Sequence, residues 1–441
     1  AGVFPSRNEA TMLYLREYFE QPFGVHLVGT TAKRWWPHFD RTSEIGLTRM
    51  KNLQAAGLKV LPYCDPRLYS IKHPDTFTEK TPSGVAKWNK DALNWSIKRK
   101  DNKPFIENYG VKCLVLCPQA PGWHDEYLRI CAGIADNGFD GIYHDQLPCG
   151  HGETCFDTTH GHRKNDPSSW IKNGYAELYR KMRAMLEAKR PGMVHTGEDG
   201  SDPFLKMIDG YTVWRWTEPD SIPLFQTIYA GRIQFTGKLY NHQRRGDWES
   251  NFAKAASQVI NAEQLGWVTL EDLEAATPFR KYYKVLAFVR KALLEYFNTA
   301  DRIAPLKFTV DPGKMYTAWG NTYADGLMVD SPRVEHSCWQ LPDGRKMVLF
   351  INATESSQRA EVIIPWKSKY SFICRQESAK AAVANNSNPA IILPPYGVEV
   401  RLYSDTDNFV EANKIAAELH RTTTFDEGKT LSIKPVVKQK T

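Results

Sequence analysis

The chain has 441 residues, more than one ordinary domain needs and enough for a barrel of about 250 residues with a second module. Hydrophobic residues make up 42% and charged residues 24%, which implies a packed core, and no apolar run approaches the roughly 18 residues that would suggest a membrane span. The net charge is +7, yet the basic residues are scattered apart from Lys429, Lys434, Lys438 and Lys440, and no basic stripe is interleaved with aromatics, which speaks against nucleic acid.

The first two-thirds alternates short apolar runs with amphipathic stretches, the pattern of repeated βα units and a parallel sheet. A helix near residues 8–20 leads in. The first strand is GVHLVGT (24–30), followed by the helix IGLTRMKNLQAAG, with Gly57 as its stop. The second strand is LKVLPYCDP (58–66), and a long polar segment after it reads as a loop over a barrel mouth. The third is VKCLVLCP (111–118), followed by DEYLRICAGIADNG as a helix. The fourth is FDGIYHDQ (139–146), and WIKNGYAELYRKMRAMLEAKRPG leads as a helix to the fifth, MVHTGED (193–199). The sixth is DGYTVWRW (209–216) and the seventh GRIQFTGKLY (231–240). The helix NFAKAASQVINAE precedes the eighth strand, LGWVTL (265–270), and PFRKYYKVLAFVRKALLEYF closes the set. Eight strands with helices between them predict an α/β chain, a (β/α)₈ TIM barrel over residues 1–303.

After residue 303 the pattern changes to short alternating runs: HSCWQL, KMVLFINAT, RAEVIIPW, SFICRQE and AIILPPYGVEVRLY. Turn residues such as Pro342 and Gly344 separate them, so residues 304–404 are expected to form a C-terminal antiparallel β-sandwich. Residues 405–441 read as a tail with one short helix, FVEANKIAAELH.

A (β/α)₈ barrel carries its chemistry at the C-terminal ends of its strands. The acids there are Asp145 after the fourth strand and Glu198 after the fifth. Cleaving a glycosidic bond needs two carboxyl groups flanking it, one to protonate the leaving oxygen and one to attack or to activate water. Adjacent strand ends permit the separation of about 5–5.5 Å that a retaining mechanism uses. Asp145 suits the ionised nucleophile, and Glu198, longer and following Gly197, suits a proton donor with a raised pKa. The competing reading of a lone strand-end Asp is a helix cap or loop acceptor, but two such acids on consecutive strands favour catalysis.

The other strand-end residues are candidates to hold a glycan. His144 and Gln146 flank Asp145; Asp65, Arg67 and Tyr69 follow the second strand; Glu218 and Asp220 follow the sixth. Trp35, Trp36, Trp123 and Trp216 offer faces for sugar rings, with core packing as the competing role. Arg244 is a candidate to meet an acidic saccharide, with a solvated surface as its competing role. The loop PCGHGETCFDTTHGH (148–162) holds Cys149, His151, Cys155, His160 and His162. Three roles stand open for it, in this order: His160 and His162 lining the pocket, a Cys149–Cys155 disulfide, and a zinc site whose spacing fits no standard finger. No metal ligand and no cofactor are assigned.

GFDGIYHDQ, CFDTTHGH, HTGEDGSDPFLKMIDGY, SIPLFQTIY and PPYGVEVRLY resemble a bacterial family of uncharacterised glycoside-hydrolase-like (β/α)₈-barrel proteins. The resemblance runs from the first strand to the end of the sandwich. More distantly, the chain is similar to α-amylase-like barrels and endo-α-N-acetylgalactosaminidases, which place an Asp nucleophile after the fourth strand and a Glu acid/base after the fifth. The resemblance implies those roles for Asp145 and Glu198, an α-linked oligo- or polysaccharide as the partner, and a secreted, periplasmic or cell-surface location. Members of that family often carry a β-sandwich before the barrel, and this chain starts with Ala1, so a piece of a longer multidomain chain is one expectation. The alternative to a glycosidase is a catalytically silent barrel that binds carbohydrate or serves as a structural module.

Overall fold

The computed structural model describes residues 3–6, 9–27, 44–71, 91–213, 223–238, 240, 248–266, 268, 273, 277–319, 327–384 and 390–425. Seven parallel strands form the first sheet. They are β1 (Val3–Ser6), β2 (Gly24–Leu27), β3 (Lys59–Cys64), β7 (Gly141–His144), β8 (Val194–Glu198), β9 (Gly210–Thr212) and β10 (Gln234–Thr236), hydrogen-bonded in that order. A parallel bridge from Thr236 to Gln264 continues the sheet past β10. Parallel neighbours need crossover connections, usually helical. These include α1 (Glu9–Phe19), α2 (Glu44–Ala55), α4 (Pro121–Asp136), α5 (Ala176–Lys189) and α6 (Leu224–Tyr229).

Helix α4 shows why such segments form where they do. Pro121 sits at its first turn, where no N–H is needed. Trp123, Tyr127, Ile130, Cys131 and Ile134 recur at three- and four-residue spacing and are buried. Gly138, just past the end, has φ +83°, the left-handed conformation that stops a helix.

Two differences from the sequence reading change which segments make up the parallel sheet. Residues 111–118 do not join the parallel sheet. Their strand β6 (Lys112–Val115) lies between β4 (Leu68–Ser70) and β5 (Ile106–Asn108) in a three-stranded antiparallel sheet. A short apolar run carries no information about which partner it will find. Conversely, β1 escaped notice, because it has four residues and Pro5 within them argues against a strand. One strand lost and one gained leave β7 as the fourth parallel strand and β8 as the fifth.

The sheet curls strongly. His26 on β2 and Thr196 on β8 are three strand steps apart, about 14 Å across a flat sheet. Their side chains nevertheless hydrogen-bond, His26 Nε2 to Thr196 Oγ1, at 3.1 Å.

From Asp301 on, the strands are antiparallel. One sheet has six strands, in the spatial order Asp301–Ile303, Val334–Gln340, Lys346–Asn352, Val398–Ser404, Tyr370–Arg375, Ala382–Val383. A second has three, Lys307–Val310, Gln358–Ile363 and Ala390–Leu393. Val348 and Phe350 of the larger sheet meet Val362, Ile391 and Leu393 of the smaller in one apolar core, as stacked sheets require. The opposite face of the larger sheet contributes Met347, Leu349 and Val400 to the core shared with the first sheet and its helices. The helix Phe409–Arg421 adds Ala412, Ile415 and Leu419 to that same core. No described helix is long and apolar enough to cross a membrane.

Candidate active site

The site grows from the strand register. On β7 and β8 His144 pairs with Gly197, so the next positions, Asp145 and Glu198, face each other across neighbouring strands. On β3 and β7 Cys64 pairs with His144, which puts Asp65 opposite Asp145. Glu198 pairs with Thr212 on β9. Four adjacent parallel strands thus end in one row: Asp65, Asp145, Glu198, Thr212. The residues two positions earlier point to the same face, as the strand period demands. They are Tyr63, Tyr143 and Thr196. Tyr143 stacks on His26 at 4.2 Å and is tilted against Tyr63 at 5.7 Å.

Asp145 is buried and accepts from the Tyr63 hydroxyl at Oδ2, and the Glu198 carboxylate of the neighbouring strand acts on it electrostatically. Two carboxyls that share a buried site resist ionising together, so the pair retains a shared proton. Burial first, and then the Glu198 charge, push the Asp145 carboxyl well above the usual carboxylate range, while the Tyr63 hydroxyl pulls it down. Asp145 is the more deeply buried of the two. Glu198 is half-buried and accepts from the Cys149 thiol at 3.3 Å.

Asp65 is fully buried. Its Oδ1 accepts the backbone N–H groups of Arg67 and Leu68 at 2.8 and 3.0 Å, which turns the chain sharply after β3. Burial and the neighbouring Asp145 push its carboxyl well up. Burial drives His26 the other way, down to about 3, so its imidazole is neutral.

Both carboxylate-bearing strands end in the same backbone device. Gln146, directly after Asp145, has φ +57°, and Asp199, directly after Glu198, has φ +54°. That region disfavours residues with a Cβ, and such strain gathers at functional sites. Gly197 leaves space for this turn, since a Cβ there would lie 2.8 Å from Ile208 Cδ1.

Several expected glycan contacts are placed elsewhere. His144 alternates to the helix-covered face, where its Nδ1 meets the Tyr127 hydroxyl at 2.7 Å and its Nε2 meets His195 Nδ1 at 3.0 Å. Trp123 and Tyr69 are fully buried and pack against each other and against Trp95, filling core rather than offering ring faces to a sugar. Arg67 is buried beneath Gln146, donating to its Oε1 at 2.9 Å and forking onto both oxygens of Glu107. His160 and His162 turn to Cys155 and Cys117. None of the eight cysteines is in a disulfide, so the second option for this loop, a Cys149–Cys155 bridge, is not formed; the two thiols serve different neighbours, Glu198 and His160. Trp35, Trp36, Trp216, Glu218, Asp220 and Arg244 lie outside the described residues. Tyr63, Tyr143 and His26 were missed by sequence reasoning. For the two tyrosines the signal was present, because each stands two residues before an acid at a strand end.

Comparison with known proteins fits this architecture. Residues 30–242 match the family model DUF6259, a domain of unknown function. A Bacteroides thetaiotaomicron protein named "Putative glycoside hydrolase" is 30% identical over 225 residues, which cover 50% of this chain and 31% of that protein. The chain spans less than a third of the length of the curated relatives it matches. Among solved structures, Bacillus licheniformis trehalose-6-phosphate hydrolase is similar with a TM-score of 0.56 at 10% identity, covering 92% of this chain and 99% of that one. A maltogenic α-amylase of Thermotoga neapolitana matches with a TM-score of 0.56 at 10% identity, covering 90% and 98%. At such identities the likeness is one of fold, that of the α-amylase-like barrels. Together these findings bear out the resemblance to a distant glycoside-hydrolase-like family.

Proposed function

We propose that this chain is a retaining glycosidase acting on an α-linked glycan, with Asp145 as nucleophile and Glu198 as acid/base. The observation that carries the reading is the register that sets these two carboxyls opposite each other at the ends of the fourth and fifth parallel strands. The likeness to the glycoside-hydrolase-named Bacteroides relative supports the reaction class. The α-linkage follows from the motif resemblance. The Thr236–Gln264 bridge supports an eighth parallel strand beside β10.

In this mechanism Glu198 protonates the glycosidic oxygen while Asp145 attacks the anomeric carbon, and Glu198 then activates the water that releases the sugar. The two carboxyls end neighbouring strands. A sugar bound between them requires a separation of about 5–5.5 Å and leaves the shared proton on Glu198. Tyr63 then holds the Asp145 charge through Oδ2.

The test is a glycan library screen with wild type beside Asp145→Ala and Glu198→Ala, with anomeric configuration followed by NMR. An activated fluorosugar should leave a glycosyl ester on Asp145. Tight glycan binding without turnover, unchanged in Asp145→Asn, would replace the enzyme reading by that of a carbohydrate-binding module.

A further inference from the structure

The loop after Asp145 contains a second cluster that the carboxylate chemistry does not use. Cys117, just beyond β6, meets Cys155, His160 and His162 of the segment between β7 and α5. One donor atom from each lies within 4.8 Å of the other three. Cys117 Sγ is 3.3 Å from His162 Nε2, and Cys155 Sγ is 3.5 Å from His160 Nδ1. Zinc bonds of about 2.3 Å to sulfur and 2.0–2.1 Å to nitrogen give a tetrahedron whose sulfur–nitrogen edges are about 3.5 Å. Two of the cluster's four sulfur–nitrogen edges already have that length.

The imidazoles are also held in the required tautomers. His160 Nε2 lies 2.5 Å from the Asn94 carbonyl oxygen, and His162 Nδ1 lies 2.8 Å from the Arg163 carbonyl oxygen. A carbonyl only accepts, so those ring nitrogens carry the protons. That leaves the lone pairs of His160 Nδ1 and His162 Nε2 aimed at the sulfurs, the outer-shell arrangement of metal-bound histidines. The backbone N–H groups of Lys98 and Asp157 each point at Cys155 Sγ from 3.4 Å, as donors to a thiolate do. Cys117 and Cys155 are fully buried and His160 nearly so.

We propose that Cys117, Cys155, His160 and His162 bind one zinc ion as a structural site. Two thiolates and two neutral imidazoles around a divalent cation form a neutral unit, which suits burial. Soft sulfur donors in a four-coordinate set select zinc over magnesium or calcium. Four protein ligands leave no open position, so the ion holds structure and activates no water. It ties the loop that follows Asp145 to the small antiparallel sheet. The inference stands apart from the glycosidase reading and needs no substrate to test.

The full chain, purified without added metal and desalted, should retain about one equivalent of zinc, falling to below about a tenth in Cys117→Ser/Cys155→Ser. Replacement by cobalt(II) in the wild-type chain should give the intense visible absorption of a tetrahedral ion and near-ultraviolet sulfur-to-metal charge transfer. This reading holds even where the double variant fails to fold. Thiol titration in denaturant with chelator should count all eight cysteines. Zinc lost on desalting, a cobalt complex without sulfur charge transfer, a Cys117–Cys155 disulfide, or a double variant that keeps its zinc would each overturn the proposal.

Discussion

Replacing Asp145 by Asn tests the shared proton without any knowledge of the sugar. In the folded chain, burial and Glu198 raise the Asp145 carboxyl above its unfolded value. A group shifted that way contributes stability that is fully present below the unfolded pKa and is lost as pH rises through the folded one. Asn cannot titrate, yet it can still donate its amide hydrogen to a Glu198 carboxylate. The stability gap between variant and wild type should therefore open as pH rises. Its size follows from like charges on neighbouring strand ends: two unit charges about 4 Å apart repel by about 4 kcal/mol at an effective dielectric of 20. Half-buried Glu198 is partly screened by water, so a gain of about 1–3 kcal/mol is expected at alkaline pH, in the range of other relieved active-site strains. For a chain of this size that is a rise of about 2–6 °C in Tm. Thermal unfolding of both proteins at about pH 5 and about pH 9 checks it. A gap that is the same at both values, or a variant less stable than wild type at the higher one, refutes the shared-proton account.

Tyr63→Phe removes the donor that holds Asp145 Oδ2. Losing a hydrogen bond to a charged group costs about 1.5–3 kcal/mol, a drop in kcat/KM of about 10–100-fold. The Asp145 carboxyl also moves further up, so the acidic limb of the pH–rate profile should shift to higher pH; an unmoved limb counts against the contact. Trp123→Ala should destabilise the fold by about 3–5 kcal/mol in chemical denaturation and leave KM unchanged, since its ring is core. A raised KM with unchanged stability would put that ring in the cleft. Arg67→Met strips Glu107 of its cation, leaving only the Tyr109 hydroxyl donating to Oε2, and should cost about 3 kcal/mol, read by the same denaturation assay; a neutral effect would mean that water already solvates Glu107.

The carboxylate pair was legible because it obeys a rule of position: acids at the ends of consecutive parallel strands converge. The legibility owed something to compensation. Residues 111–118 were counted as a barrel strand and Val3–Ser6 was not, so the ordinal numbers of β7 and β8 survived two errors. His144 could have been rejected from the sequence alone, because a residue adjacent to Asp145 on an extended strand points to the opposite face. Trp123 could not. Its helical neighbours Tyr127 and Cys131 mark an apolar stripe, but nothing local says whether Trp at the top of that stripe lines a core or a cleft. Cys117 was hidden for a different reason. Metal spacing rules read neighbours within one short segment, and here one proposed ligand comes from just beyond β6 while three come from the loop after β7.

That loop is where the observations meet. Gln146, held at φ +57°, accepts from Arg67, and the buried guanidinium is fixed in turn by Glu107. Three residues later Cys149 donates to Glu198, reaching the partner of the carboxylate the loop began from. Cys155, His160 and His162 then close on Cys117. A backbone strained by about 1–3 kcal/mol persists only where its surroundings over-determine it. Here the constraints are an ion-paired arginine at one end and the Cys/His cluster at the other. The distance between the Asp145 and Glu198 carboxyls is accordingly not a property of two strands alone. It is set by a segment anchored at both ends, and loosening either anchor should alter the carboxylate pair before it alters the barrel.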